Sequence, residues 1–590
     1  MRVIQNIQMS LDEIDISNVA IDINSRDDIP KILIGLKHIY MNVPLREKIF
    51  RLIEDELITG SNRFNGRPRA ISLWRAFVMG TLRVGLNIDW DRLHNLVNRH
   101  IDVRRILGKY DIWDEETFNI KNIMSSVSLF TPELIKKINT LIVNDGLSLE
   151  KNTKSGPEKC RIDSFVLETN VHYPSDINLL FDAMRVILRE TADLGSSNGL
   201  TEWRQYGHNI RQVKKSYFNV TNRRAISRNA RAEEKKKLRN EEVKTSTVSY
   251  LDLCKDLLNK AKNTVKTVLH LNSKKDPELN PEEGIIEKSY DETSNENIGR
   301  GNGSDILIFE ENNQLNQRDG PGMESCEAKL ESQEIINSAK DAVIDVKCNQ
   351  KKISGDNESI VSKIREEEQI KLIEEFIGHA ERQIDQTYRR VILGEIIPHD
   401  EKVFSLFQKH TEWVSKGKLG KPVEFGVRVG VSTEPSGFIL NFTVMQNETD
   451  DKIAVPFLRE TKELFPTLLS CSFDQGFHSK SNQVELAKIV ETVGMHRKGK
   501  LTEEAKKIEN SDEFREARRG HSAVESNIHG LEVHGLDICL DHGIEGFSRY
   551  AAFGVVGYNI HHLGSIIRKR ELKKEARRRR RMDKLDKKAA

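Results

Sequence analysis

Alternation of apolar and polar positions identifies strands most clearly in the second half of the chain. Valine and phenylalanine alternate with polar residues or glycine over residues 423–431, and a second alternation follows over 438–444, after a turn-like segment. This spacing is typical of a β-hairpin. The segments 160–168 and 468–473, rich in β-branched, aromatic or other apolar residues, predict two further strands.

Apolar residues at helical spacing predict helices before, between and after these strands. In the N-terminal part this spacing covers residues 49–53, 73–86 and 89–97, with a short turn before the last segment. Further helices are predicted over 177–190, 250–271 and 364–391. Because strands and helices are interspersed along the chain, the sequence predicts an α/β fold with a mixed sheet and flanking helices.

A short run near the C-terminus predicts an amphipathic helix with an unusual polar face. If residues 521–531 are helical, Val524, Ile528 and Leu531 form one apolar stripe. The opposite stripe then carries two imidazoles and two carboxylates, those of His521, His529, Glu525 and Glu532. Such a helix would bury its apolar stripe and present Glu525 to a metal ion or a proton.

Composition limits the class of protein. The chain has 590 residues, of which 31% are charged and 37% hydrophobic, so it can hold two or more domains but part of it is expected to remain unpacked. Its six cysteines include no C-x-x-C pair, which excludes the usual zinc spacings and gives no disulfide framework. No window approaches about 18 consecutive apolar residues. We therefore expect a soluble, cytoplasmic protein with no membrane partner.

The formal net charge of +2 conceals two blocks of opposite sign. Residues 276–335 carry 16 acidic and 4 basic side chains, a net charge of −12, and lack periodicity, so we predict a polar, mostly disordered segment. Residues 568–590 carry 13 basic and 4 acidic side chains, a net charge of +9. A basic block favours a polyanionic partner such as nucleic acid, although a solvated tail has the same composition.

Basic residues also surround the N-terminal helical segments. Helix-turn-helix units place such side chains on DNA phosphates and base edges. A helical dimerisation domain with arginine–carboxylate pairs on its surface has the same pattern. We favour DNA contact, with these candidate residues: Arg75, Arg83, Arg92, Arg99, Arg104 and Arg105.

A second basic stretch, between residues 203 and 239, is interleaved with aromatic residues. Such a mixture can follow a phosphate backbone and stack on exposed bases, whereas the simpler interpretation is an amphipathic helix with a cationic face. The aromatic residues are Trp203, Tyr206, Tyr217 and Phe218, and the candidate DNA-binding residues are Arg204, Lys214, Lys215, Arg223 and Arg224.

Three carboxylates occupy positions that one sheet and one helix can bring together. Asp163 lies within a predicted strand, where aspartate is uncommon, and Asp474 ends another strand just before a glycine turn. Each alone is as readily a surface or turn residue. Together with Glu525 they would repel one another unless a hard divalent cation lay between them, and Mg²⁺ prefers such oxygen ligands.

At these residues the chain resembles the insertion-sequence DDE transposases. The resemblance lies in the motifs around Asp163 (residues 161–164 and 171–176), Asp474 (473–482) and Glu525 (521–526), and it extends to residues 546–550 and 558–560. It covers roughly two-thirds of the chain, and several motifs in order are more specific than one. It implies an RNase H-like catalytic fold, shared with retroviral integrases, in which Asp163, Asp474 and Glu525 form the catalytic and metal-binding triad.

The resemblance also implies a function. The triad would hold Mg²⁺ or Mn²⁺, with two ions expected, while a metal-activated water cuts the phosphodiester at the element end and the released 3′ hydroxyl attacks target DNA. Partners would be the terminal repeats and target DNA, and a homo-oligomer on DNA is expected because paired ends are cut together. The protein would thus be associated with the nucleoid.

The expected domain layout follows from these motifs. It comprises an N-terminal extension (1–30), a helical DNA-binding domain (31–145), a first catalytic segment (155–200), a basic helical insertion containing the acidic segment (201–400), a second catalytic segment (401–567) and a basic tail (568–590).

The chain departs from the pattern of some relatives, which have arginine four residues before the glutamate and lysine seven after it. Here those positions hold His521 and Glu532. Candidates to position phosphate instead are Arg518, Arg519, His521, His478 and Lys480. Two alternatives remain: a metal-dependent nuclease of the same fold, and a catalytically inactive DNA-binding regulator derived from a transposase.

Overall fold

The fold is described from a computed structural model, which covers residues 4, 14–59, 71–109, 118–151, 156–225, 233–275, 356–415, 422–499 and 501–589. These residues form two compact units, Met1–His172 with Phe407–Ala590, and Tyr173–Leu406. The predicted acidic segment 276–335 lies outside the described residues. Among those described, no helix is both long and apolar enough to cross a membrane.

The first unit contains a sheet and helices from both ends of the chain. Its strands are β1 (Lys159–Thr169), β2 (Glu412–Ser415), β3 (Val423–Thr433), β4 (Ile439–Met445), β5 (Ser470–Phe473), β6 (Thr492–Gly494) and β7 (Ile538–Cys539). Its N-terminal helices are α1 (Asp28–Met41), α2 (Val43–Glu54), α3 (Leu73–Gly85), α4 (Trp90–Arg99), α5 (Ile101–Ile106), α6 (Ile120–Val127) and α7 (Pro132–Lys151).

The second unit is helical, and further helices of the first unit follow it along the chain. The second unit contains α8 (Asp176–Ser197), α9 (Tyr206–Ala225), α10 (Glu233–Lys275) and α11 (Asp356–Tyr388). Back in the first unit are α12 (Asp450–Leu464), α13 (Lys480–Leu486), α14 (Glu503–Glu509), α15 (Asp512–His521), α16 (Ala523–Leu531) and α17 (Gly543–Ala589).

The seven strands form one mixed sheet. Its main path runs β2-β3-β1-β5-β6, with β4 also paired to β3 and β7 also paired to β1. Strand β3 is antiparallel to its neighbours β1, β2 and β4, whereas β5 and β7 run parallel to β1, and β6 runs parallel to β5. The long central strand β1 therefore contacts both the antiparallel and the parallel half of the sheet.

Helix α17 connects the sheet to the N-terminal helices. It packs against α1, α3 and α7. Glycine permits the closest approach, since a Cβ at Gly564 would lie 1.8 Å from the Lys31 carbonyl oxygen. Buried Asn559 donates to Asn139 Oδ1 (2.7 Å) and accepts from the Ile439 amide (2.9 Å), which joins α17 to α7 and β4. Residues of the sheet and the N-terminal helices thus belong to one hydrophobic core.

The predicted α/β class with a mixed sheet is confirmed, but the units differ from the expected domains. The N-terminal helices share a core with the sheet and do not form a separate domain, because their apolar faces pack on α17. Helix α8, expected in the catalytic segment 155–200, belongs to the second unit, where it packs against α9, α10 and α11. The basic tail 568–590 is described to residue 589 as the end of α17, not as a separate segment.

Candidate active site

The parallel pairing of β1 and β5 places two of the predicted carboxylates side by side. Ile162 lies opposite Phe473 in the register of these strands. Asp163 and Asp474 are the next residue along each, and neighbouring strands are about 4.8 Å apart. Asp163 is half-buried and Asp474, just past the end of β5, is exposed. The two carboxylates therefore leave adjacent strands at the same level of the sheet.

Helix α16 supplies the third carboxylate. Glu525 lies in its first turn, and α16 contacts β1. Val524 and Leu531 are 1% and 0% exposed, and Ile528 packs partly buried against the core, so the predicted apolar stripe is the face that packs inward. Glu525 itself is exposed. A carboxylate is favoured at this position because the N-terminal end of a helix carries positive partial charge.

The pKa of Asp163 is affected by three other carboxylates. Burial raises the pKa of the Asp163 carboxyl to about 6. A hydrogen bond of 2.8 Å from the Ser164 amide opposes this rise in pKa, while the negative charges of Asp474, Asp450 and Glu525 add to it. A bound cation would stabilise the ionised form of a carboxyl whose pKa is raised by burial and by like charges. Asp163 is therefore a functional-site candidate.

The donor set fits a hard divalent cation in its chemistry. All three predicted ligands are carboxylates, the oxygen ligands that Mg²⁺ and Mn²⁺ take. Nevertheless, the part of the chain that the structure describes holds no group of three His, Cys, Asp or Glu side chains already arranged to bind a metal ion. Asp163, Asp474 and Glu525 would therefore hold an ion only after side-chain rotation, which the exposure of Asp474 and Glu525 permits.

The sequence did not single out Asp450, which approaches β1 from the start of α12. Its Oδ1 accepts a hydrogen bond of 2.7 Å from Ser164 Oγ, and its Oδ2 lies 3.8 Å from Arg428 Nη1. The acidic pair Asp450-Asp451, of a kind common in the first turn of a helix, was the available signal, although no helix was predicted there. Nothing in the sequence connects that pair to a residue 286 positions away.

Arg161 is a second residue that the sequence analysis left without a role. It lies two residues before Asp163 in β1, so both side chains are on the same face of the sheet. Its guanidinium lies across the end of α15, where a Cβ at Gly520 would be 3.5 Å from Arg161 Nε. Burial lowers the pKa of Arg161, and the negative charge of Glu434 opposes this shift. The sequence signal for this residue was its position two residues before Asp163 in the predicted strand, which puts both side chains on one face.

The predicted helix around Glu525 is two helices, and this changes the role of His521. Helix α15 ends at His521 and α16 begins at Ala523, so the predicted polar stripe is interrupted. His521 is 7% exposed, and its Nδ1 lies 3.1 Å from Ser472 Oγ. Burial lowers the pKa of His521 to about 4. The prediction that His521 positions phosphate is wrong for this structure, because the imidazole is buried and contacts Ser472.

The other candidates to position phosphate are distributed around Asp474. Half-buried Arg518 donates from Nη1 to the Phe473 carbonyl oxygen at 2.8 Å, just before Asp474, whereas Arg519 is exposed. Half-buried His478 accepts at Nδ1 from the Lys498 amide (3.4 Å), and burial lowers its pKa. Lys480, the first residue of α13, is exposed. Arg519 and Lys480 therefore remain accessible to a phosphate.

The N-terminal arginines predicted to bind DNA separate into buried and exposed residues. Arg83 is 2% exposed and Arg104 is 1% exposed, so the prediction that they contact DNA is wrong for this structure. Arg83 pairs with Asp541, and Arg104 Nη1 donates to the Asn98 carbonyl oxygen at 3.1 Å. Arg75 and Arg105 are half-buried, and Arg75 Nε donates to the Leu107 carbonyl oxygen at 2.7 Å. Arg92 and Arg99 on α4 are exposed.

In the second unit, two of the four aromatic residues of the basic stretch have structural roles. Trp203 is 2% exposed and donates from Nε1 to Thr264 Oγ1 (2.8 Å), and Tyr217 stacks on Phe181 with ring centroids 4.9 Å apart. Tyr206 and Phe218 are exposed on α9. Arg204 and Lys215 are exposed and Lys214 is half-buried, whereas the side chains of Arg223 and Arg224 lie outside the described residues.

Comparison with known proteins does not identify the chain. No protein-family model, no curated protein and no solved structure matches it.

Proposed function

We propose that this chain is a DNA transposase of an insertion sequence, with an RNase H-like catalytic fold. The observation that carries the proposal is the register of β1 and β5, which sets Asp163 beside Asp474, in a strand that also contacts the helix bearing Glu525. The mixed sheet with flanking helices and the raised pKa of Asp163 support it. These are the features expected of a carboxylate site for phosphodiester chemistry.

In this proposal Asp163, Asp474 and Glu525 hold Mg²⁺ or Mn²⁺, with two ions expected. Bound divalent cations would supply positive charge to the in-line displacement at phosphorus. The chain itself fixes the carboxylates, two through neighbouring strands and one through a buried helix face. The reaction is cleavage at the element end and then attack of the freed 3′ hydroxyl on target DNA.

DNA contact is proposed for exposed basic residues only. Arg92 and Arg99 on α4, and Arg204 and Lys215 in the second unit, offer charged groups to phosphates. The end of α17 adds five consecutive exposed arginines, 577–581. Each phosphate contact releases counterions, so binding should weaken steeply with salt. Because two ends are cut together, we propose that the chain assembles as at least a dimer on DNA.

The test is metal-dependent nicking of a labelled duplex that carries the inverted repeat flanking the gene. Asp163→Asn, Asp474→Asn and Glu525→Gln should each reduce Mg²⁺-dependent nicking to background and leave DNA binding intact, because each removes a ligand charge without removing a basic side chain. Glu532→Gln is the matched control. Glu532 shares the predicted polar stripe but follows α16, and this variant should cut as the wild type does.

Three outcomes of this assay would contradict the proposal in different ways. Near-normal nicking by one of the three variants removes that residue from the site. Nicking without a joined product indicates a nuclease of the same fold. Binding without any nicking by the wild type indicates a DNA-binding regulator.

A further inference from the structure

Asp450 contacts β1 next to Asp163, on the face of the sheet opposite to that of Asp163. Side chains alternate along β1, so Ser164 faces away from the side of Asp163 and Arg161. Helix α12 covers the Ser164 side, where Ile453 would lie 3.0 Å from a Cβ at Gly430, the residue paired with Ser164. From the first turn of this helix, Asp450 Oδ1 accepts the Ser164 Oγ hydrogen bond at 2.7 Å. Asp450 thus holds the residue next to Asp163.

The same carboxylate lies close to the turn that follows Asp474. A Cβ added at Gly476 would lie 3.3 Å from Asp450 Oδ2, so a side chain at this position would crowd the carboxylate. Gly476 lies in the short turn Gln475–Phe477, immediately after Asp474. Helix α12 also contacts this turn. Asp450 therefore lies between the two chain segments that carry Asp163 and Asp474.

A third contact restrains Asp450 itself. Arg428 Nη1 is 3.8 Å from Asp450 Oδ2, and both side chains are 25% exposed. Arg428 lies on β3 on the same face as Ser164, because Arg428 pairs with Val166 and Gly430 with Ser164. The guanidinium and the hydroxyl contact different oxygens of the carboxylate, which restricts its rotation.

We propose that Asp450 is a positioning residue: through Ser164 and the turn at Gly476 it fixes Asp163 and Asp474 relative to each other. This inference rests on the proposed function, since it concerns the carboxylates assigned there to the cation. Asp450 acts through its neighbours and does not itself touch substrate. Partners that orient metal ligands typically change metal affinity by about 10- to 100-fold when they are removed.

A simpler role for Asp450 is to favour the helix N-terminus, where acidic residues are common. The adjacent Asp451 separates the two roles. It lies in the same first turn, is exposed, and its Oδ1 accepts from Thr449 Oγ1 at 2.6 Å, and it is not among the charges that shift the pKa of Asp163. Asp451→Asn is therefore a matched control for charge at the start of α12.

The test is calorimetric titration of Mg²⁺ into the full-length chain without DNA. Asp450→Ala should weaken Mg²⁺ binding about tenfold, since it removes the acceptor for Ser164. Ser164→Ala should weaken it equally, and the double variant no further, because one hydrogen bond joins the two. Asp450→Asn retains an acceptor for the Ser164 hydroxyl and should stay within about threefold of the wild type. Asp451→Asn should bind as the wild type does.

Several results would overturn the inference. Unchanged affinity in folded Asp450→Ala contradicts it, as does equal loss in Asp451→Asn. If Asp450→Asn loses as much Mg²⁺ affinity as Asp450→Ala, the negative charge of Asp450 acts through space. That result also contradicts positioning through Ser164. If Asp450→Ala does not fold, the Mg²⁺ affinity of Ser164→Ala tests the inference instead, and an unchanged affinity in that variant contradicts it. Wild-type protein that binds no Mg²⁺ refutes the proposed function, and this inference with it, whereas a failure confined to the variants refutes this inference only.

Discussion

Two charged regions of the first unit illustrate opposite uses of buried charge. At Arg83, the guanidinium is buried and paired: Nη2 lies 2.7 Å from Asp541 Oδ1, and Cζ lies 3.8 Å from the centre of the Trp90 ring. At Asp163, the carboxylate is half-buried, and the charged groups that shift its pKa are three more carboxylates. In the first region an opposite charge within the protein pairs with the buried charge, whereas around Asp163 the charges that shift its pKa are all negative.

The difference shows which charged residues contribute to the fold and which are available for function. A buried charge that has an opposite partner needs nothing further, and breaking the pair destabilises the protein. A carboxylate among carboxylates is stabilised by a cation or a proton from outside. Arg83 was predicted to bind DNA and Asp163 to bind metal, and only Arg83 has an opposite charge paired with it within the protein.

The largest stability effect should come from the paired region. Arg83→Ala should lower the free energy of unfolding by about 3 kcal/mol, because it leaves the Asp541 carboxylate without its partner in a buried setting. Urea-induced unfolding measures this change. Arg92→Ala, which removes an exposed arginine two residues after Trp90, is the control and should change stability by less than about 0.5 kcal/mol.

The same two variants test the revised assignment of DNA contacts. Arg92→Ala should weaken DNA binding and reduce its dependence on salt, since an exposed phosphate contact is lost. If Arg83→Ala is as stable as the wild type but binds DNA poorly, Arg83 is a DNA contact after all, and the contrast between the two regions fails.

A smaller effect should come from the carboxylate region through pH. The pKa of Asp163 is about 6 in the folded chain and about 3.9 in an unfolded chain, so between these values the folded state binds more protons. Stability of the metal-free protein should therefore fall as pH rises from 4 to 6, by at most about 2 kcal/mol, and this component should then level off.

Asp163→Asn provides the control for the pH effect, because it removes the titrating group. Thermal unfolding across this range should show a decline in the wild type that is shallower in Asp163→Asn. Equal slopes in the two proteins would show that the pKa of Asp163 is not raised in the folded chain. Added Mg²⁺ should offset the decline in the wild type above pH 6, where the carboxyl is ionised.

Local patterns predicted most of the elements that carry the site. Alternation located β3 and β4, which pair antiparallel as a hairpin, and enrichment in β-branched and aromatic residues located β1 with Asp163 inside it. Helical spacing located α3 at Leu73–Gly85 and the inward face of α16. These features depend on periodicity within one segment, which a sequence displays directly.

Features that depend on distant segments were not predictable in the same way. The burial of Arg83 depends on Asp541, which is far along the chain, and the role of Asp450 depends on Ser164. The break after His521 leaves this imidazole buried against Ser472, although the pattern is compatible with one continuous helix. Charged residues of identical type were distinguishable only once their partners were known.

The central claim is that Asp163, Asp474 and Glu525 act together as one cation site. Calorimetric titration of Mg²⁺ into the metal-free full-length chain, at a pH above 7 where Asp163 is ionised, tests it most directly. The account predicts saturable binding by the wild type and a large loss of affinity in Asp163→Asn, Asp474→Asn and Glu525→Gln alike, with none in Glu532→Gln. Binding that is absent from the wild type, or unchanged in all three variants, would contradict it.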